Sequence, residues 1–288
     1  MLSLSKLAAI VGLLGAGFCC GRGSWAHFSP VFAWSGGRTV SAAGLALIPV
    51  MFAYSGWNAA AYIASEVRDP EKTLPRSLAL GTLITICAYL ALNVLYLYAL
   101  PVTALSGVVR VGEQTAGALF GPRAAQVISA LIAVSIASAF NVMVLTGGRI
   151  YFAMARDRVF FSRAAELHPR FHTPGNALLM QAVWTSLLIL SGTFEQLLTY
   201  ATIVIVSISA VTVSAVFVLR RQRPDLPRPY HVWGYPWMPV LYVVGSAGIF
   251  VNALWERPVE CLLGAGLCAA GVPAYWWWRR VDRSGGTA

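Results

Sequence analysis

The chain has 288 residues, of which 58% are hydrophobic and only 11% charged, and its mean hydropathy is +0.67. That balance excludes an ordinary soluble domain and makes lipid the natural solvent. The formal charge of +10 would suit a nucleic-acid partner, but the basic residues sit in short clusters between apolar runs and build no continuous polar face, so no nucleic acid is expected.

In chain order, windows apolar and long enough to cross about 30 Å of hydrocarbon run from Leu2 to Cys20, Ala42 to Ser65, Ser77 to Leu100, Ala124 to Ala153 and Phe194 to Leu219. Two more follow, Pro236 to Trp255 and Val259 to Trp278, and a shorter one, Ala177 to Leu190, is extended by Pro174 and its neighbours. The reading is an all-α membrane protein with about eight spans, in a single transmembrane domain over residues 1–288. Cys19, Cys20, Cys87, Cys261 and Cys268 lie in or beside these windows without metal spacing and read as small buried hydrophobes. His27, His168, His172 and His231 fall in loops or near helix ends and form no nucleophile or metal constellation. No cofactor, metal or enzyme chemistry is expected.

If the chain starts on the cytoplasmic side, the loops alternate sides and can be scored by Lys and Arg. The inner segments then hold fifteen, including Arg68, Lys72, Arg76, Arg156, Arg163, Arg220, Arg221, Arg279 and Arg280, against five outside: Arg22, Arg38, Arg110, Arg123 and Arg257. This asymmetry predicts a multi-pass protein of the cell membrane with both termini cytoplasmic, and it supports the short span, because deleting one helix would flip every later loop. Tyr96, Tyr98, Tyr235, Trp237 and the run Tyr275 to Trp278 suit headgroup level.

The second window is interrupted. It belongs to "IPVMFAYSGWNAAAYIASEVRDPEKTLPRS", Ile48 to Ser77, where a Tyr-Ser-Gly-Trp-Asn run sits inside an apolar span. Lipid tolerates non-helical backbone only where protein or a watery cavity meets the released N–H and C=O groups. Gly56 can adopt torsions closed to other residues, and Ser55 can bond freed backbone groups. A break here would set the C-terminal end of one half-helix near the N-terminal end of the next, matching the ammonium and carboxylate of a zwitterion. The alternative is a glycine that merely lets helices pack closely. Ser135, Ser138 and Asn141 share a helix face and serve either interhelical hydrogen bonds or a pocket wall. No Asp or Glu sits well inside a span, which disfavours a cationic substrate and a buried proton relay.

Three stretches resemble one family. Phe52-Ala53-Tyr54-Ser55-Gly56-Trp57-Asn58, then Glu66, Asp69-Pro70 and Leu74-Pro75-Arg76, resemble the sixth helix and following loop of the amino acid-polyamine-organocation superfamily, in particular its L-type amino acid transporter branch. "ASAFNVMVLTGGRIYFAMARDRVFFSRAAELHPRFHTPGNALL" resembles the eighth helix and its connection to the ninth, with Arg158 standing where a glycine is common. "RPDLPRPYHVWGYPWMPVLY" resembles the loop before the eleventh helix.

The resemblance implies part of a leucine-transporter-type fold, from the fifth helix to the twelfth: a partial transporter core over residues 1–219, then two additional helices over 235–278. It implies transport of amino acids, neutral ones being favoured, by alternating access. Phe52 would gate the substrate, and Ala53, Ser55 and Gly56 would bind the amino group or line the pocket. Trp57 would either pack on the substrate side chain or wedge the break, and Asn58 would cap the second half-helix or reach neighbouring helices. Because the family's first helix has no counterpart here, the resemblance also implies an N-terminally truncated chain. Its expected partners are therefore an amino acid, the lipid bilayer and either a missing N-terminal half or an accessory subunit; the alternative function is a partial subunit with a structural or regulatory role.

Overall fold

The computed structural model describes residues 2–29, 37–62, 64, 67–228, 230 and 232–285. Every long element is a helix: α1 (Leu2–Cys20), α2 (Gly37–Ala53), α3 (Ala59–Tyr62), α4 (Pro70–Ala99), α5 (Val102–Leu105), α6 (Val111–Phe120), α7 (Pro122–Arg156), α8 (Gly175–Leu190), α9 (Phe194–Gln222), α10 (Trp237–Glu256) and α11 (Pro258–Gly285). Among the described residues, α4, α7, α9, α10 and α11 are long and apolar enough to cross a membrane, while α1, α2 and α8 are shorter apolar helices. The protein is an all-α, multi-spanning membrane protein. In the second window the helix stops at Ala53, and a five-residue turn precedes α3.

The helices depart from the sequence reading in two ways. α4 begins at Pro70 rather than Ser77, so the prolines of the stretch that resembles a loop sit in its first two turns. The start is built on Asp69, in left-handed backbone with φ 49°, whose carbonyl accepts from the N–H groups of Lys72 and Thr73 at 3.1 and 3.0 Å. Pro70 then occupies the first helical position, where a missing N–H costs nothing. Between α4 and α7, α5 and α6 were not foreseen; with four and ten residues, neither is long enough to register as a span.

The chain forms two compact units. In the unit of Met1–Trp34 and Pro75–Met143, Leu95, Ala99 and Leu119 are buried against Leu13, Leu14 and Leu100. α1 and α4 approach closely because Gly17 offers no side chain, and the methyl groups of Leu95 fill the space a Cβ would need. At the end of α4 the Tyr98 carbonyl has no helical partner; it accepts from the Ser24 N–H at 2.8 Å and from His27 Nδ1 at 3.1 Å. The Tyr98 ring lies 5.5 Å from Phe18 and 5.0 Å from Trp25, so one residue ties both the backbone and the aromatic cluster of this corner.

In the unit of Ser35–Leu74 and Val144–Ala288, Ile48 of α2, Ile203 of α9, Ile249 and Ala253 of α10 and Cys261 of α11 form the main core. α2 packs on α10 where Gly44 makes room for the Asn252 amide, which donates from Nδ2 to the Ser41 carbonyl at 3.2 Å. α9 is capped at both ends. Thr193 and Gln196 form a reciprocal capping box at its start, and at its end the Arg228 guanidinium donates to the carbonyls of Leu219, Arg223, Pro224 and Leu226. A smaller cluster of Ala155, Ala164 and Ala177 joins the end of α7 to the start of α8. There Asn176 donates from Nδ2 to the Arg163 carbonyl and the Glu166 carboxylate at 3.0 and 2.9 Å.

Candidate functional site

α2 ends because its hydrogen-bond ladder runs out in register. The Tyr54 N–H still reaches the Val50 carbonyl at 3.0 Å, four residues back, but the Ser55 N–H bonds Phe52, only three back. The chain then turns at Gly56, where φ is 101°, and resumes with Ala59 donating to the Gly56 carbonyl at 3.0 Å and Ala60 to the Trp57 carbonyl at 3.3 Å. Among the described residues, the N–H groups of Gly56 and Trp57 reach no acceptor. In a chain solvated by lipid, two adjacent unpaired amides are costly unless something else accepts from them.

The surroundings of position 56 explain why it is glycine. A Cβ built there would meet nothing within 4 Å, so close packing does not require it; the torsion does, since side-chain-bearing residues avoid this φ. The expected second half-helix is described only over Ala59–Tyr62. A single turn sums few peptide dipoles, so the donors that matter here are the two amides themselves. Glu66, part of the motif, lies outside the described residues.

Of the residues singled out in the sequence, Phe52 and Ser55 are half-buried, whereas Ala53, Gly56, Trp57 and Asn58 are exposed. Ala53 is the last residue of α2 and Asn58 immediately precedes α3. All six therefore share one helix interruption. The cavity lined by Ser135 and Ser138 and the one lined by Leu179 and Val183 do not include them.

Of the serine face on α7, Ser135 and Ser138 are half-buried and line a cavity of about 290 Å³, while Asn141 is exposed. The other walls come from α1, α4 and α6, including Ile10, Leu13 and Tyr96, and Lys6 of α1 also lines the cavity. Lys6 and the hydroxyl-bearing Tyr96, Ser135 and Ser138 are the polar residues in otherwise apolar walls, a lining that suits a small polar group. Lys6 is one of the fifteen basic residues of the inner segments, and its place in an apolar span, where a charge is expensive and usually functional, is the sequence signal for this cavity. No group of three or more His, Cys, Asp or Glu able to hold a metal occurs among the described residues.

Residues 1–260 match the amino acid permease family. The large neutral amino acids transporter small subunit 2 of Homo sapiens is 30% identical over 276 residues, 94% of this chain and 50% of that protein. The serine/threonine exchanger SteT of Bacillus subtilis (strain 168) is 32% identical over 239 residues, 81% of this chain and 54% of the exchanger. The Asc-type amino acid transporter 1 of Mus musculus is 30% identical over 284 residues, 95% and 52% respectively. The chain thus spans about half the length of the curated relatives it matches. Those relatives are transporters, not enzymes. With the match running from α1 into α11 and across the interrupted helix, the chain belongs to the amino acid permease family of the amino acid-polyamine-organocation superfamily.

Proposed function

We propose that the chain takes part in secondary transport of neutral amino acids by alternating access, with the substrate held at the turn Tyr54–Asn58. The observation that carries this reading is the pair of unpartnered amides at Gly56 and Trp57, in the middle of an apolar segment. Such donors suit the carboxylate of an amino acid, and the carbonyls at the end of α2 suit its ammonium group. Phe52, half-buried one residue before that helix end, serves as the gate, with Ala53 and Ser55 lining the site. Trp57 packs on the substrate side chain or wedges the turn, and Asn58 supports the resumed helix. The absence of Asp and Glu from the interior of the apolar windows favours neutral substrates, in keeping with the names of the large neutral amino acid and serine/threonine relatives.

In this proposal residues 1–219 belong to a leucine-transporter-type core, as its fifth to tenth helices, and residues 235–278 add two further helices, with both termini cytoplasmic. The opposite wall of the site comes from a further segment or from a partner chain. The second reading is a subunit that is structural or regulatory until its partner is present.

Reconstitution into liposomes tests both. Saturable uptake of radiolabelled leucine or serine, absent for arginine and glutamate and reduced at least about tenfold in Gly56→Ala, is the expected result. Uptake that appears only on co-expression with the unmatched half of a relative favours the partner-requiring subunit. No uptake in either arrangement overturns the transport reading.

A further inference from the structure

The unit of Ser35–Leu74 and Val144–Ala288 holds a second cavity, of about 620 Å³. One wall is a face of α8, where Leu179, Val183 and Leu187 recur at four-residue spacing over about 12 Å of helix. All three are more than half exposed. One end is closed by Phe160 and Phe161, which follow the end of α7. Trp278 of α11 backs both rings, stacked on Phe160 at 5.9 Å and edge-on to Phe161 at 5.1 Å.

Cations follow these aromatics in sequence. Arg163 lies two residues beyond Phe161, and Arg279, whose guanidinium lies 5.6 Å from the Tyr275 ring, directly follows Trp278; both are exposed. The acids of the connecting segment are Asp157 and Glu166, and Glu166 accepts from Asn176 at 2.9 Å. α7 gives way to loop at Arg156, so the cations mark the level at which apolar helix meets polar surroundings, where long basic side chains place their charge.

The geometry points to a bound anionic phospholipid, with one acyl chain laid in the slot along α8 and its phosphate beside Arg163 and Arg279. The apolar face explains the chain, and the guanidinium groups explain the head, because their planar forks match phosphate oxygens and an anionic head leaves net charge for them to attract. A sterol would fill the slot but bring no anionic group to Arg163 and Arg279. The site shares no residue with the turn Tyr54–Asn58, so it is independent of the transport reading.

The test is native mass spectrometry of the full chain released from micelles containing equal phosphatidylglycerol and phosphatidylcholine. Phosphatidylglycerol should be retained over phosphatidylcholine by on the order of fivefold for each participating arginine. Arg163→Gln and Arg279→Gln should each erode that preference, and Arg163→Lys, which keeps the charge but not the planar fork, should preserve only part of it. Val183→Trp, which fills the slot, should reduce retention of both lipids, and Leu187→Phe repeats the test should Val183→Trp melt early without lipid. Equal retention of the two lipids overturns the proposal. So does displacement of phosphatidylglycerol by inorganic phosphate, or by cholesterol with equal effect in the arginine variants and the parent.

Discussion

Gly17 and Gly56 are the same residue used for opposite reasons. At Gly17 the backbone is ordinary helix and the space is taken, since a Cβ would run into the methyl groups of the fully buried Leu95. At Gly56 the space is open and the backbone is extraordinary, with φ at 101° and nothing within 4 Å. One glycine lets two helices touch; the other lets one helix stop. Only the second leaves backbone amides without partners, which is why the candidate site belongs to it, while Gly17 belongs to the packing of its own unit.

This contrast is sharpest when both positions are substituted along one series. At Gly56 the cost should follow torsion: Gly56→Asn should retain the most uptake, because Asn tolerates positive φ better than other side-chain-bearing residues, Gly56→Ala should lose at least about tenfold, and Gly56→Val should abolish it. At Gly17 the cost should follow volume. Gly17→Ala should destabilise by roughly 1–3 kcal/mol through overpacking, with Gly17→Val worse, as read by melting or steric trapping in detergent. If uptake of the Gly56 series instead falls with side-chain size and Asn behaves like Val, position 56 is a packing site and the proposed binding turn fails.

How far these roles could be read from sequence depends on whether the signal is local. The interruption was legible because Tyr-Ser-Gly-Trp-Asn is foreign to an apolar span, and α8 was legible because the charge alternation of the loops supports it. Choosing between torsion and packing at Gly56 was not, since both readings predict a glycine and only the positions of neighbouring atoms separate them. The early start of α4 escaped because it rests on the positive φ of Asp69, a residue whose propensity alone suggests a loop. α6 escaped through its length, although the glycine that ends it, Gly121 with φ 90°, was visible. Lys6 was visible too, but the cavity it lines is assembled from four helices distant in sequence, and no window along the chain reports that.

A milder version of the packing argument applies to Gly44. Here the neighbour in the way is the Asn252 amide, which bonds the Ser41 carbonyl. Gly44→Ala should push that amide aside and remove one interhelical hydrogen bond, for about 0.6–2 kcal/mol. The double variant Gly44→Ala/Asn252→Ala should cost less than the two single changes added together, because the second has little left to break. Additive costs would mean that the glycine and the amide are not coupled.

The smallest expected effect reverses the sign and tests the torsional half of the contrast without touching the site. Arg158 lies just past the end of α7 with φ at 58°, in the left-handed region that costs a side-chain-bearing residue about 1 kcal/mol and costs glycine nothing. Its N–H bonds the Ala155 carbonyl at 3.1 Å, and the next N–H, of Val159, bonds Met154 at 3.0 Å. This is a helix end of the kind glycine usually makes. Arg158→Gly should therefore stabilise the chain by up to about 1 kcal/mol, less the contribution of the interaction Arg158 makes. Arg158→Ala separates the two terms, because it removes the side-chain interaction while keeping the torsional strain. Gly should melt above Ala whatever the parent does, and if Ala matches or exceeds Gly, strain at this turn is not what glycine relieves, and the torsional account of Gly56 loses its independent support.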